Sequence, residues 1–270
     1  MRSAASAPIG VFDSGVGGLS VLREIRRTLP NETLYYVADS GHAPYGDKDT
    51  AYIEQRSRYI IKFLLAQGVK AVVVACNTVT GLVIQHLRTH FAQLPIVAIE
   101  PAVKPAALHT RSGVVGVLAT RQTVASPGLA RLVQQHGQGV RVLLQACPGW
   151  VECVERHELD SPATVALVQQ FVQPLLAQNA DTLVLGCTHY PFLAPVIAAL
   201  AGPEMRIIDP AAAVARQLAT RLQQQGLLHA DSAGIAPMRF WSSGASAHAQ
   251  RVISQLLAHP VAVEQLPTAG

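Results

Sequence analysis

Short apolar, β-branched runs alternate along the chain with longer stretches in which apolar residues recur every three or four positions. Runs at 9–12, 33–38, 71–75, 96–99, 113–118, 140–145, 182–185, 206–208 and 238–241 predict strands. Stretches at 19–29, 52–67 and 163–178 predict amphipathic helices, the last opened by Ser161 as N-cap and Pro162 at the first helical position. Strands apolar on both faces, separated by helices, predict an α/β fold of mostly parallel sheets. Beyond position 260 no periodicity persists, and the tail is expected to be loosely ordered. Ligands of such sheets sit outside the carboxyl ends of the strands. The polar residues that follow each run are therefore the candidates for chemistry.

Those strand ends come in two matched sets. IGVFDS at 9–14 pairs with VGVLAT at 115–120, and YVAD at 36–39 with LQAC at 144–147. VVACNT at 73–78 pairs with VLGCTH at 184–189, and AIEPA at 98–102 with IIDPA at 207–211. Four matches in one order, at nearly constant offset, predict two pseudo-symmetric α/β lobes with the active site in the cleft between them. The predicted first lobe is 1–99 plus 209–270, its C-terminal segment crossing back; the predicted second lobe is 100–208.

Cys76 and Cys187 occupy equivalent places, each after an apolar strand and a small residue and before a predicted helix start. A helix N-terminus favours a thiolate. Two thiols aimed at one ligand from opposite lobes suit inversion of a stereocentre. One takes a proton from one face while the other gives a proton to the opposite face, which an ordinary thiol pKa of about 8.5 permits near neutrality. Asp13 at the end of the first strand and His189 two residues after Cys187 are the natural proton partners. The glycine-rich turn from Asp13 to Gly18 lacks the Lys of a P-loop, and Ser20 replaces the last glycine of the dinucleotide fingerprint. Its better use is as a seat for a carboxylate on backbone N–H groups. Asn77, Thr78, Thr120 and Thr188 add neutral donors, and Asp39 opens a loop placed to close over the cleft.

Composition narrows the classes. The 270 residues are 50% hydrophobic, which excludes disorder, yet hold no apolar run of about 18 residues that would span a membrane. The first eight residues hold one Arg and no apolar core, so no secretory signal is expected and the location is read as cytoplasmic. A net charge of +4 with scattered Lys and Arg gives no nucleic-acid motif. The four cysteines, Cys76, Cys147, Cys153 and Cys187, fit no zinc spacing and are expected as free thiols.

Taken together, FDSGVGGL at 12–19, APYG at 43–46, ACNT at 75–78, IEPA at 99–102, GVLAT at 116–120 and GCTHYP at 186–191 resemble the glutamate racemases, in family order over about residues 9–210. The resemblance implies cofactor-independent interconversion of L- and D-glutamate for peptidoglycan synthesis, by a homodimer, without metal, membrane or nucleic-acid partner. It implies that Cys76 acts on the D-enantiomer with Asp13 and Cys187 on the L-enantiomer with His189. Ser14, Tyr45, Gly46, Asn77, Thr78, Thr120 and Thr188 are implied as substrate contacts beside Asp13 and His189. Asp39 is a further candidate. An acidic residue is also expected near the cleft, where Glu155 fits better than Glu152. Two other readings share these residues: racemisation of aspartate by the same thiols, and a non-catalytic two-lobed amino-acid binder.

Overall fold

The computed structural model describes residues 4–229 and 234–268. Ten strands form two sheets. They are β1 Ile9–Asp13, β2 Leu34–Ala38, β3 Ala71–Val74, β4 Ile96–Ala98, β5 Val114–Ala119, β6 Arg141–Ala146, β7 Thr182–Leu185, β8 Arg206–Ile208, β9 Met238–Ser242 and β10 Val263–Gln265. The first sheet runs β10-β9-β2-β1-β3-β4 and the second β6-β5-β7-β8, and every pairing is parallel. The order β2-β1-β3-β4 repeats as β6-β5-β7-β8, the arrangement that the matched strand ends predict.

All residues of β1 and β3 are buried. Their successive side chains point to opposite faces. Ile9 and Val11 join one cluster with Leu22 and Ile25 of the helix Leu19–Thr28, while Phe12, Val72 and Val74 join another with Ile60, Ile61 and Val83. Each such side chain contributes about 1.5–3 kcal/mol by leaving water. This double-sided burial is why these strands read as continuous apolar runs rather than as alternation. Ser161 Oγ accepts from Thr164 N–H at 3.2 Å and caps the helix Pro162–Leu176, as predicted.

The tail and two of the strand bounds need correction. The tail is not loose throughout: β10 pairs with β9 from Val263 to Gln265, and Leu266 is buried. Three paired residues are too few to show a period. The predicted strands 113–118 and 140–145 both sit one residue later, at Val114–Ala119 and Arg141–Ala146, and Arg141 N–H is the first of its strand to bond the neighbouring segment, at Gly113 O. None of the described helices is long and apolar enough to cross a membrane.

Candidate active site

Cys76 lies just past β3 and is the N-cap residue of the helix Asn77–His90, with φ −135° and ψ 114°. Cys187 lies just past β7, but no α-helix begins directly after it. A 3-10 turn, Tyr190–Leu193, intervenes before the helix Ala194–Ala201. Both thiols are free and buried. They line one cavity together with Ser14, Tyr45, Gly46, Asn77, Thr78, Thr120, Thr188 and His189. Its volume is about 10 Å³, room for about one water. Three candidates do not line it. Asp13 and Glu155 stand behind the lining residues and bond to them, while Asp39 is bound elsewhere.

On the Cys76 side the partners are a hydroxyl and a carboxylate. Cys76 Sγ is 3.8 Å from Ser14 Oγ, which donates to Asp13 Oδ1 at 3.4 Å. Asp13 Oδ2 accepts from Gly18 N–H at 2.7 Å and from Thr188 Oγ1 at 3.0 Å, so the first lobe's carboxylate is held partly by the second lobe. Burial raises the Asp13 carboxyl above its ordinary range, against the pull of His189 and the donated hydrogen bonds. Burial also pushes the Cys76 thiol well up, and Asp13 adds to the push; Val79 N–H and Ser14 oppose it. Cys76 therefore rests as a thiol.

On the Cys187 side the partner is an imidazole. Cys187 Sγ lies 3.7 Å from His189 Nδ1, and His189 Nε2 lies 2.7 Å from Glu155 Oε1. Gly17 N–H also approaches Nε2, at 3.3 Å. One ring nitrogen cannot both donate to Glu155 and accept from Gly17. The shorter, charge-assisted contact decides, and Nε2 carries a hydrogen aimed at the carboxylate. Burial by itself would lower the His189 pKa, but the Cys187 and Glu155 contacts outweigh it and hold the imidazole well above its ordinary value. Glu155 is braced from the first lobe: Oε1 accepts from Val16 N–H at 2.7 Å and Oε2 from Ser40 Oγ at 2.9 Å. The turn has glycine here because the approach is close. A Cβ on Gly15 would lie 1.8 Å from Glu155 Oε1, and one on Gly17 would lie 2.3 Å from His189 Nδ1.

Neutral donors complete the site. Thr78 Oγ1 meets Thr120 Oγ1 at 3.0 Å and Thr123 Oγ1 at 3.2 Å, a hydroxyl cluster that crosses between lobes. Both side-chain polar atoms of Asn77 are buried with no partner. A buried amide left unbonded costs stability, and Asn77 lines the cavity with both of these atoms unpartnered. Among the described residues no group of three His, Cys, Asp or Glu is placed to hold a metal ion.

Sequence reasoning missed four supporting residues. Tyr36 donates to Gly15 O at 2.7 Å, Ser20 donates to Thr188 O at 3.0 Å, and Thr123 joins the hydroxyl cluster. Arg56 bonds Asp39. Tyr36 and Arg56 sit inside strand and helix patterns, where nothing sets them apart. Ser20 and Thr123 are small polar residues in unremarkable runs.

A family model for Asp/Glu/hydantoin racemases matches residues 9–218. The chain belongs to this racemase family. It is 56% identical over 253 residues to the glutamate racemase of Ectopseudomonas mendocina, covering 94% of this chain and 95% of that protein. The crystal structure of glutamate racemase isoform RacE1 from Bacillus anthracis superposes with a TM-score of 0.86 at 32% identity, covering 97% of both chains. The Escherichia coli glutamate racemase, solved with L-glutamate and the activator UDP-MurNAc-ala, gives 0.84 at 30% identity, covering 98% of this chain and all of that one. The racemase's matched segment contains both cysteines, Asp13, Glu155 and His189, and stops short of β9 and β10.

Proposed function

We propose that this chain interconverts L- and D-glutamate through two cysteine bases. The observation that carries the reading is that one cavity is lined by two buried thiols with opposite proton partners. With L-glutamate bound, a Cys187 thiolate paired with imidazolium at His189 takes the α-proton, and the Cys76 thiol gives its proton to the other face. This leaves Cys187 as thiol, Cys76 as thiolate and D-glutamate in the site. With D-glutamate the same steps run backwards, Asp13 supporting the Cys76 side. Only protons move, so no electron acceptor enters the balance and no cofactor is invoked.

The unstable carbanion is served by fixed neutral donors from Ser14, Asn77, Thr78, Thr120 and Thr188 in a site closed to bulk water. Tyr45 and Gly46 wall the same space. A cavity of about 10 Å³ cannot admit a ten-heavy-atom substrate. Entry therefore requires the lobe 1–99 plus 209–270 to part from the lobe 100–208. The relatives named glutamate racemase support glutamate as the substrate. The reading also assigns a cytoplasmic homodimer whose product feeds peptidoglycan synthesis.

The test is incubation of the purified chain with L-glutamate in D2O without added cofactor. The α-proton NMR signal should vanish and the circular dichroism should decay to zero, with L-aspartate in parallel left unchanged. Retained α-proton and optical activity of glutamate would sink the reading.

A further inference from the structure

We infer that Arg56 is a positioning residue for the glutamate site, acting through Asp39 on the Tyr45–Gly46 wall; this rests on the reading above. Asp39 is fully buried at the end of β2, and both of its oxygens are used. Arg56 Nη2 donates to Oδ1 at 2.7 Å and Nε to Oδ2 at 3.0 Å, a side-on fork. Tyr45 Oη donates to Oδ2 at 2.5 Å. Asp39 thus faces Arg56 and Tyr45, and it is absent from the lining of the cavity that holds both thiols. The candidate contact of the sequence reading is an internal brace.

The brace has a direct route to the site. Arg56 comes from the helix Thr50–Ala66 and its guanidinium also lies over the Tyr59 ring, 5.0 Å from the centroid. That fixes the fork from outside the cleft. Asp39 in turn holds both ends of the segment that follows it: its carbonyl accepts from His42 N–H at 2.8 Å, and its carboxylate holds the Tyr45 hydroxyl. Tyr45, which is buried, and Gly46 then form the cavity wall beside Cys76, and a Cβ on Gly46 would lie 2.9 Å from Thr120 Cβ. Displacing this segment by a fraction of an ångström moves the wall against the opposite lobe. Charge matters as well. Glutamate brings two carboxylates, and an unneutralised Asp39 behind the wall would repel them. Arg56 cancels that charge, and its planar fork, unlike a lysine, also sets the orientation of the carboxylate.

The experiment is a double-mutant cycle on the full chain with Arg56→Lys and Tyr45→Phe. Arg56→Lys keeps the charge and loses the fork. Tyr45→Phe keeps the ion pair and the ring and loses only the tie to Asp39. Each should raise KM for glutamate about tenfold while kcat changes about twofold, and the double variant should be little worse than either single, since both act through one carboxylate. A second readout needs no substrate: the rate of Cys76 alkylation by iodoacetamide, read by peptide mass spectrometry, should rise about tenfold in each variant. Unchanged KM and unchanged Cys76 alkylation in Tyr45→Phe, or effects that add fully in the double variant, would overturn the assignment. If wild type fails to racemise glutamate, the reading of function falls. Faster Cys76 alkylation in the variants would still uphold the brace.

Discussion

At the end of β3, Cys76 faces a hydroxyl and a carboxylate; at the end of β7, Cys187 faces an imidazole braced by a second carboxylate. The backbone device is the same in both lobes, a parallel strand that delivers a sulfur to the cleft. The proton environment is not. Burial and Asp13 keep the first sulfur protonated, whereas His189, held above its usual pKa, offers the second a cation. Duplication of a fold thus supplies position, and divergence of two or three neighbours supplies direction. The halves are also cross-braced, since Thr188 of the second lobe bonds Asp13 of the first, and Val16 of the first bonds Glu155 of the second. Each thiol's proton partners are thus held in part from the other lobe.

The sharpest way to break this comparison is to remove one sulfur at a time. Cys76→Ala and Cys187→Ala should each lower racemase kcat/KM by about 10⁴-fold or more, because in the proposed mechanism the missing thiol is both acid and base over a full cycle. A chiral assay of either variant that recovered activity within tenfold of wild type would show that one thiol suffices. Removing a partner is milder. His189→Asn should lower kcat/KM by about 10²-fold, and by the same factor in both directions, since enantiomers have an equilibrium constant of one. The asymmetry can appear only in how kcat and KM divide and in the isotope effects. The primary deuterium effect on L-glutamate should grow, since proton removal by Cys187 becomes slower, while that on D-glutamate should not. The sign for pH follows from the raised His189 pKa. The imidazolium is fully present below the ordinary pKa of about 6.5 and is lost only as pH rises through the higher folded value. Wild-type activity should therefore persist as pH rises past the ordinary imidazole pKa and decline further to the alkaline side, and His189→Asn should lose that alkaline limb.

Much of this was legible in one dimension because it is local. The strand-end motifs, the offset between lobes and the glycine turn are all read within a few residues, and they placed both cysteines, Asp13, His189 and the threonines in or against one cavity. What stayed hidden was set by distance. Glu155 reaches Val16 across 139 positions, so only the family resemblance separated it from Glu152. Arg56 looks like any solvent-facing helix residue until Asp39 is seen buried behind it. β10 owes its existence to β9 rather than to its own three residues.

The opposite ends of the strands sharpen the comparison from a side where no catalysis intervenes. The residue before β3 is Lys70, and its counterpart before β7 is Asp181. Lys70 Nζ bonds Glu32 Oε2 at 2.5 Å, with both side chains about 2% exposed, and also bonds Ala5 O. Glu32 Oε1 further accepts from His229 N–H at 2.9 Å. Lys70→Met leaves a buried carboxylate without its cation and should cost about 3–5 kcal/mol in urea unfolding. Adding Glu32→Gln should return part of that loss, because the stranded charge goes with it.

Asp181 does the equivalent work with the opposite charge and nearer to solvent. Its carboxylate accepts from Thr110 Oγ1 at 2.6 Å, from Arg111 and Ser112 N–H at 2.7 Å each, and from Thr182 Oγ1 at 3.0 Å. It ties down the turn that leads into β5. Desolvation works against the charged form, yet the four donors win and bring its pKa down to about 2 from 3.8. A lowered carboxylate pKa stabilises the fold above the unfolded value and ceases to do so as pH falls through the folded one. Asp181→Asn should therefore cost about 1 kcal/mol or less at pH 7, since solvent weakens each bond. That difference from wild type should stay constant down to about pH 4 and shrink between pH 4 and 2. If urea midpoints for Asp181→Asn fall equally far below wild type at pH 7 and pH 3, the carboxylate's charge contributes nothing. The contrast between the two strand starts would then be one of packing alone.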